Sequence, residues 1–391
     1  MRSVSRRVQR NRLIAALIVF VMAVLMAELV TWPSSPTVPP GRAQVAPVVL
    51  RSFTILGGGD ILIHGPVADR ARVNGQRSGR AYDFRPMFAP IKGIVSQADL
   101  AICHLEVPLS RDNSNITSYP SFNAPRQVAG GIRYTGFDAC STASNHALDK
   151  GESGVHSTLS VLDDFGRRHE GTARTAQGGR RPAIYEVNGV KVGHVSFTYG
   201  LNGYSIPDGK WWLVNVIKPD RIIKQARWAR DHGAEFVVAS LHFGVEYHRA
   251  PTSYQQDVAR RVLSSPAVDA VLGHHAHVVQ GITKVRKKFI AFGMGNQLSN
   301  QSEPADTQDG VMVKLVVEER EPGRFVVDRV RYTPTWVERG PYRILPVAKT
   351  LRAKWPSESL RQALRASWSR TVSAVRSLGR RDKVRPSSYP P

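Results

Sequence analysis

The segment Val268-Asp-Ala-Val-Leu-Gly-His-His-Ala-His277 decides the fold. An apolar run with the character of a buried strand ends in a glycine, and three histidines follow within four residues. Neutral imidazole is the commonest metal ligand, so clustered histidines at the end of a buried strand predict a metal site. A histidine-rich surface turn is the alternative interpretation of this segment taken alone.

Four other segments have the same layout, in which an apolar run is followed at once by polar or ionisable side chains. The groups that follow these runs are Asp60 with His64, His104 with Glu106, Asn145 with His146, and His242 with Glu246 and Tyr247. In an open α/β sheet, ligands bind beyond the carboxyl ends of the strands. We therefore expect these groups to meet in one crevice.

The segments between the predicted strands have helical character, which indicates an α/β protein. The predicted helices are Pro86 to Ala98, Gly154 to Phe165, Ile217 to His232 and Thr252 to Ser265. Asn188-Gly189 between two apolar runs predicts a β-hairpin, because this dipeptide supplies the positive φ angles of a tight turn. Later strands follow without helices between them, at Lys288 to Phe292, Val311 to Val317 and Phe325 to Tyr332. A mixed sheet, or two stacked sheets with helices outside, is therefore expected.

Six ordered blocks resemble the CapA-type proteins of poly-γ-glutamate capsule synthesis, whose domain is similar to the calcineurin-like metallophosphoesterases. The blocks cover roughly residues 52 to 302 and are Gly59–His64, Asp99–Pro108, Ser144–Gly151, His242–Tyr247, Gly273–Gln280 and Phe292–Gln297. The resemblance implies a metallophosphatase-like four-layer α/β/β/α sandwich with mixed sheets.

The resemblance also implies a centre for two divalent metal ions. The implied metal ligands are Asp60, His64, Glu106, Asn145, His242, His275 and His277. His146 would be the catalytic proton donor or charge stabiliser beside the leaving group. His104, Glu246 and Asn296 would orient ligands or contact substrate. The chain departs from the superfamily pattern in that no Asp-x-His opening is present, Glu106 ends a block that usually ends in Gly-Asp, and His104 replaces the usual asparagine.

The mixture of carboxylate, amide and imidazole groups suits Mn, Zn or Fe, whereas an all-oxygen set would suit Mg or Ca. Two such ions would support hydrolysis of a phosphoester. A structural metal site, or one that binds an anionic polymer without cleaving it, is the alternative.

Asp149 precedes a glycine and a predicted helix, which predicts a helix N-cap.

The N-terminus predicts a membrane anchor. Five arginines lie in the first twelve residues, and the uninterrupted apolar run Leu13 to Ala27 follows. This pattern favours an uncleaved single-pass anchor in the cytoplasmic membrane with the bulk of the chain outside; a cleaved signal peptide and secretion are the alternative. The predicted organisation is a basic cytoplasmic segment 1–12, a transmembrane signal-anchor 13–32, a linker 33–50, a CapA-like domain 51–342 and a basic tail 343–391.

The formal net charge of +23 is concentrated at the two ends of the chain. Residues 1–12 contribute +5 and residues 343–391 contribute +10, so nucleic acid is not an expected partner. Apolar residues at helical spacing from Leu360 to Leu378 predict a basic amphipathic helix, resting on lipid or an acidic polymer or docked on the domain. Disorder is expected from Gly379 onward.

Two cysteines, Cys103 and Cys140, leave a disulfide and a pair of buried thiols both open. No Walker loop, Rossmann fingerprint, C-x-x-C motif or Gly-x-Ser-x-Gly elbow is present, which argues against nucleotide-dependent and serine-nucleophile chemistry.

Two functions remain. One is a membrane-anchored component that works with polymer synthase or export proteins on an anionic capsule polymer such as poly-γ-glutamate. The other is a metal-dependent hydrolase acting on an envelope phosphoester.

Overall fold

The computed structural model describes residues 50–379 and 381–391. Helices occur in most connections up to β8, the strands from β8 to β14 follow one another without an α-helix, and two helices separate β14 from β15. The strands are β1 (Ser52–Ile61), β2 (Leu100–Leu105), β3 (Ala139–Ser141), β4 (Arg168–Glu170), β5 (Ala183–Val187), β6 (Val190–Thr198), β7 (Phe236–His242), β8 (Ala270–His274), β9 (Ile282–Val285), β10 (Lys288–Ala291), β11 (Asn296–Leu298), β12 (Asp309–Glu321), β13 (Arg324–Glu338), β14 (Arg343–Pro346) and β15 (Val384–Pro386).

The helices lie mainly in the connections between parallel strands. They are α1 (Gly65–Arg77), α2 (Arg85–Phe88), α3 (Lys92–Val95), α4 (Gln127–Thr135), α5 (Gly151–Asp164), α6 (Ala176–Arg180), α7 (Pro219–Asp231), α8 (Ser253–Ser264), α9 (Val347–Arg352) and α10 (Glu358–Arg376). Two 3₁₀ turns cover Ala89–Ile91 and Ala305–Gln308.

The strands form two mixed sheets. The first has the order β14-β13-β12-β1-β2-β3-β4, with β11 paired to β1 and β15 paired to β13. Its strands β1 to β4 are parallel, whereas β12, β13 and β14 are antiparallel to their neighbours. The second has the order β5-β6-β7-β8-β10-β9, with antiparallel strands at both edges. The expectation of a mixed α/β architecture with two sheets is confirmed.

Side-chain alternation in β1 shows how the layers pack. Phe53 and Ile55 are buried between the two sheets with Phe236 of β7, whereas Leu56 points into the core beneath α1 to α4. A third core lies between the second sheet and the helices α7 and α8. The order of the layers is therefore helices, sheet, sheet, helices.

Several predicted elements are observed with small shifts at their ends. Helices α5, α7 and α8 occupy the predicted positions, and β5 pairs with β6 in an antiparallel hairpin. At the turn, Asn188 has φ 49° and Gly189 has φ 73°, as a tight hairpin turn requires.

The predicted single helix from Pro86 to Ala98 is wrong. The chain there forms α2, the 3₁₀ turn Ala89–Ile91 and α3. Pro90 explains the break, because proline lacks the backbone N–H and its ring collides with the carbonyl of the preceding helical turn.

The C-terminal segment belongs to the same compact unit as the sheets, which spans Val48–Pro391. Strand β14 extends the first sheet beyond residue 342, and α10 packs against β12 and β13. The Arg370 guanidinium donates to both carboxylate oxygens of Asp309, at 2.7 and 2.9 Å. Of the arrangements open to the amphipathic helix, docking on the domain is therefore the one observed.

The expected disorder after Gly379 is wrong for residues 384–386, because β15 pairs in parallel with β13. The composition of this segment predicts solvated basic side chains. In the structure, Lys383 Nζ instead lies 2.5 Å from a carboxylate oxygen of Asp328. Pairing on the sheet edge also satisfies the backbone of this segment.

No helix within residues 50–379 and 381–391 has both the length and the apolar character needed to cross a membrane. The predicted cytoplasmic segment 1–12, the predicted anchor 13–32 and residues 33–49 of the predicted linker lie outside the described residues.

Candidate metal centre

Strand register brings the predicted groups to neighbouring strand ends. Asp60 of β1 is paired with His104 of β2, and His242 of β7 is paired with His274 of β8. Gly273 precedes the last residue of β8, and any side chain at this position would collide with the carbonyl of Phe292. Both sheets therefore direct polar side chains into one buried crevice.

Asp60 links the two sheets. Its Oδ1 lies 3.0 Å from His274 Nδ1, and its Oδ2 lies 3.2 Å from His277 Nδ1. The same Oδ2 accepts a hydrogen bond of 3.1 Å from the backbone N–H of His275. Burial by itself would raise the pKa of Asp60, but the hydrogen bonds from His274 and His277 lower that pKa well below its usual value. Asp60 is thus an ionised carboxylate fixed in position.

A chain of hydrogen bonds orients His242. Ser141 Oγ lies 2.8 Å from His104 Nδ1, and His104 Nε2 lies 2.9 Å from His242 Nδ1. His242 Nε2 lies 2.9 Å from Asn145 Oδ1. Both rings and the amide are buried, so the positions of His242 and Asn145 are set by neighbours on three strand ends.

Glu106 is a buried carboxylate without hydrogen bonds. Its side chain is inaccessible to solvent, and neither oxygen has a hydrogen-bond partner within the described part of the chain. Oε1 lies 3.6 Å from His277 Nε2 and 3.9 Å from His242 Nε2, which is too far for a hydrogen bond. Burial raises the pKa of Glu106 well above its usual value. A carboxylate in this state is costly unless a cation binds it, so the residues present fit a divalent metal ion.

Within the described part of the chain, three groups of side chains place their ligand atoms within 4.8 Å of one another. The groups are Asp60 with His104 and His242, Asp60 with Glu106 and His277, and Glu246 with His275 and His277. Asp60 and His277 each belong to two groups, so the groups form one continuous cluster. His275 Nδ1 is a further buried atom without a hydrogen-bond partner among the described residues.

Most imidazoles of the cluster are held neutral, the form that binds metal. Burial lowers the pKa of His275 to about 3 and lowers the pKa values of His242 and His104 well below the usual range. His277 differs. Burial would lower its pKa, but the adjacent carboxylates of Glu106 and Asp60 raise it to about 9.

The turn His275–His277 has a backbone conformation that residues other than glycine rarely adopt. His275 has φ 89° and His277 has φ 56°. Such left-handed conformations cost on the order of 1–3 kcal/mol each and persist only where the surroundings impose them. Here the bond from His275 N–H to Asp60 and the bond from Tyr247 N–H to the Ala276 carbonyl hold the turn. The turn points two imidazoles toward the Glu106 and Glu246 carboxylates.

His146 is oriented by a carboxylate. Its Nδ1 lies 2.8 Å from Asp149 Oδ2, which also accepts the backbone N–H of Phe122 at 2.7 Å. The prediction that Asp149 caps the following helix is wrong, because Lys150 occupies the N-cap of α5 and no side chain caps it. The Asp149 carboxylate is turned to His146 and Phe122 instead.

The remaining predicted residues lie around the cluster at different distances. Asn296 Oδ1 lies 3.1 Å from His277 Nδ1. His64 Nδ1 accepts the backbone N–H of Asn300 at 3.3 Å, and its ring packs against Phe122. His64 belongs to none of the three groups found among the described residues, whereas Glu246 and His104 each belong to one.

Sequence reasoning missed several residues of this crevice. His274 bonds Asp60 and stacks on His104 with ring centroids 4.0 Å apart. Its position as the last residue of β8, within the run of histidines, was the available signal. Tyr199 packs on His275 at 4.4 Å, and Asn202 Oδ1 accepts from Asn145 Nδ2 at 3.1 Å. These two lie in a long connection that carries no motif.

Two packed sheets with a buried cluster of histidine, carboxylate and amide side chains at their strand ends define a mixed α/β protein with a candidate divalent-metal centre. Residues 54–301 match the model of the family described as bacterial capsule synthesis protein PGA_cap, and the chain belongs to this family. The matched region contains Asp60, Glu106, Asn145, His242 and His277.

Two relatives carry names from capsule biosynthesis. The chain is 26% identical over 296 residues to a capsule biosynthesis protein CapA of Bacillus anthracis, covering 73% of this chain and 69% of the relative. It is 28% identical over 193 residues to a PGA biosynthesis protein CapA of Bacillus subtilis, covering 49% of this chain and 50% of the relative.

Solved structures similar to the chain include a phosphatase from Mycoplasma pneumoniae and the calcineurin-like phosphoesterase YfkN from Bacillus subtilis. The first has a TM-score of 0.44 at 11% identity, covering 75% of this chain and 96% of the other. The second has a TM-score of 0.40 at 14% identity, covering 82% of this chain and 98% of the other.

Proposed function

We propose that this protein acts in the synthesis, retention or export of an anionic capsule polymer such as poly-γ-glutamate, and that its buried cluster holds two divalent metal ions. The observation that carries the proposal is Glu106, whose two buried oxygens have no hydrogen-bond partner among the described residues although the imidazoles of His242 and His277 lie nearby. Membership of the capsule synthesis family supports the polymer.

The proposed ligands are drawn from the overlapping groups, together with Asn145, which contacts His242. They are Asp60, Glu106, Asn145, His242, His275 and His277, with Glu246 and His104 adjacent and His64 at the edge. This mixture of nitrogen and oxygen ligands suits Mn, Zn or Fe. When bound, such ions neutralise charge on an anionic ligand and polarise its oxygen atoms.

A second candidate function is hydrolysis of an envelope phosphoester, and the pair of His146 and Asp149 favours it. Asp149 holds the Nδ1 side of the ring at 2.8 Å, so Nε2 is the ring atom available to a ligand. An imidazole oriented in this way can donate a proton to a leaving oxygen.

The cellular location forms part of the proposal. We place the domain on the outer side of the cytoplasmic membrane, anchored by residues 13–32, with polymer synthase or export proteins as partners. The disulfide between Cys103 and Cys140 supports this location, because disulfides persist in oxidising compartments.

Elemental analysis of the purified protein tests the metal centre, and an activity screen with phosphodiester and polymer substrates tests turnover. We expect Mn, Zn or Fe, and we expect Asp60→Asn to lose it. Turnover that disappears in His146→Ala would establish the hydrolase. Cell-associated polymer that falls on gene deletion, with no detectable turnover, would establish the accessory role. A metal-free protein whose deletion leaves the polymer unchanged would refute both.

A further inference from the structure

A basic groove lies on a separate part of the surface, between α6, the start of β5 and α7. It consists of two adjoining cavities of about 680 and 600 Å³, both lined by Gly179 and Trp228. Each volume falls within the roughly 300–1,000 Å³ that is usual for ligand sites. We call this surface the arginine groove, after its six basic side chains, Arg168, Arg174, Arg180, Arg181, Arg221 and Lys224.

Most of this positive charge is not neutralised by the protein. Arg174 pairs with Asp163 at 2.7 Å. For the other five basic side chains, no carboxylate of residues 50–379 or 381–391 lies within ion-pair distance. The arginine groove therefore carries an excess of positive charge that an anionic ligand could neutralise.

Glu170, the other acid that lines the groove, does not offset this charge. Its two oxygens accept backbone N–H groups of Gly171 and Ala183, at 3.0 and 2.8 Å. Burial raises the pKa of Glu170 to about 8, and none of the basic side chains of the groove lies within ion-pair distance of it. Asp163 is occupied by Arg174 and by His169, which lies 3.2 Å away.

Trp211 positions two of the arginines. The Arg180 guanidinium lies 5.6 Å from the Trp211 ring centre, and the Arg221 guanidinium lies 5.4 Å from it. Stacking on an aromatic ring restricts a guanidinium without using the N–H donors in its plane. Two arginines held in this way are prepared for bidentate binding of carboxylates or phosphates.

One chain connection joins the groove to the candidate metal centre. The residues between β6 and α7 carry Tyr199 and Asn202, which contact His275 and Asn145, and then Trp211 and Asn215, which line the groove. A long ligand in the groove therefore contacts the same connection that covers the cluster.

We propose that the arginine groove binds a stretch of several repeat units of a polycarboxylate chain. This inference rests on the proposed function for the choice of a carboxylate polymer, which the capsule synthesis family favours. The five basic side chains without a carboxylate partner among the described residues, spread over two adjoining cavities, favour an extended anionic chain over a single small anion.

Binding of a fluorescent poly-γ-glutamate oligomer to the full-length chain tests the groove. The variant Arg180→Gln with Arg221→Gln removes the two stacked guanidiniums. The matched control is Arg77→Gln with Arg227→Gln, which removes the same charge from exposed arginines of α1 and α7 outside the groove. We expect the groove variant to bind roughly tenfold or more weakly, since two charge-assisted contacts are lost, and the control to change by less than about twofold.

The outcomes distinguish failure of the groove proposal from failure of the proposed function. Equal weakening in both variants would overturn the groove, as would tighter binding of polyphosphate or of a single-stranded oligonucleotide than of the polycarboxylate. Thermal unfolding of both variants identifies any loss of folding, and Arg168→Gln with Arg181→Gln then repeats the test. If wild type restores cell-associated polymer in a deletion strain but the groove variant binds the oligomer normally, only the groove is wrong. If wild type restores no polymer, the proposed function itself fails.

Discussion

Replacing Glu106 by glutamine should change the free energy of unfolding little in the metal-free protein and lower it in the metal-loaded protein. In the metal-free protein, burial favours the protonated acid, because burial raises the pKa of Glu106 well above its usual value. Glutamine has nearly the same shape as that neutral acid. We therefore expect the free energy of unfolding to change by less than about 1 kcal/mol.

The metal-loaded protein should respond differently. Glu106 Oε1 lies between the ring nitrogens of His277 and His242, at 3.6 and 3.9 Å, where both oxygens of the carboxylate have no other partner among the described residues. Loss of a ligand here should weaken metal binding by at least about 10–100-fold. With metal in excess, the stabilisation by bound metal then falls by about 1.4–2.8 kcal/mol.

Denaturant unfolding at pH 7 with EDTA, and again with excess Mn²⁺ or Zn²⁺, measures both quantities. Glu170→Gln is the matched control, because Glu170 is also a buried acid but accepts two backbone N–H groups outside the cluster. We expect the control to shift stability equally in both conditions. A Glu106→Gln protein that loses the same stability with and without metal would show that Glu106 is not a ligand.

Three further changes test other parts of the structure. Asp149→Asn should retain metal but lower any phosphodiester turnover by about 10²–10⁴-fold, because the histidine it orients loses its charge partner; unchanged turnover would exclude that role. Cys103→Ala with Cys140→Ala opens a loop of sequence separation 37 and should lower stability by about 4 kcal/mol in denaturant unfolding; a loss below about 1 kcal/mol would contradict the disulfide. Arg370→Ala should lower the free energy of unfolding by about 2–4 kcal/mol, because it leaves the buried Asp309 carboxylate unpaired. Adding Asp309→Asn should recover part of that loss in denaturant unfolding. No recovery would contradict the pairing.

Local patterns predicted much of the architecture because they depend on near neighbours in the chain. The Asn188-Gly189 turn is one example, since two adjacent residues with positive φ determine the hairpin. The helix break at Pro90 was also encoded locally, but the apolar spacing of the segment concealed it. The order of the C-terminal residues was not local: β15 is ordered by pairing with β13, more than fifty residues earlier in the chain.

The roles of the site residues depended on contacts between distant segments. The sequence placed Asp60 and the histidine run at strand ends, but it did not identify His274 as the partner of Asp60, 214 residues away. The local context of Asp149, before a glycine and a helix, predicts a helix cap. Its carboxylate instead faces His146 and the backbone N–H of Phe122, which belongs to another loop.

By itself, the sequence determined the strands, their helical connections and the polar or ionisable side chains at the strand ends. Hydrophobic periodicity and turn chemistry are properties of short segments. Only the tertiary structure decided which imidazole contacts which carboxylate. It also left both buried oxygens of Glu106 without a hydrogen-bond partner among the described residues. The same holds for the arginine groove, whose cations come from three separate elements of the chain. The physical reason is that the environment of a polar group, and hence its pKa and its need for a ligand, is set by neighbours brought together when the two sheets pack.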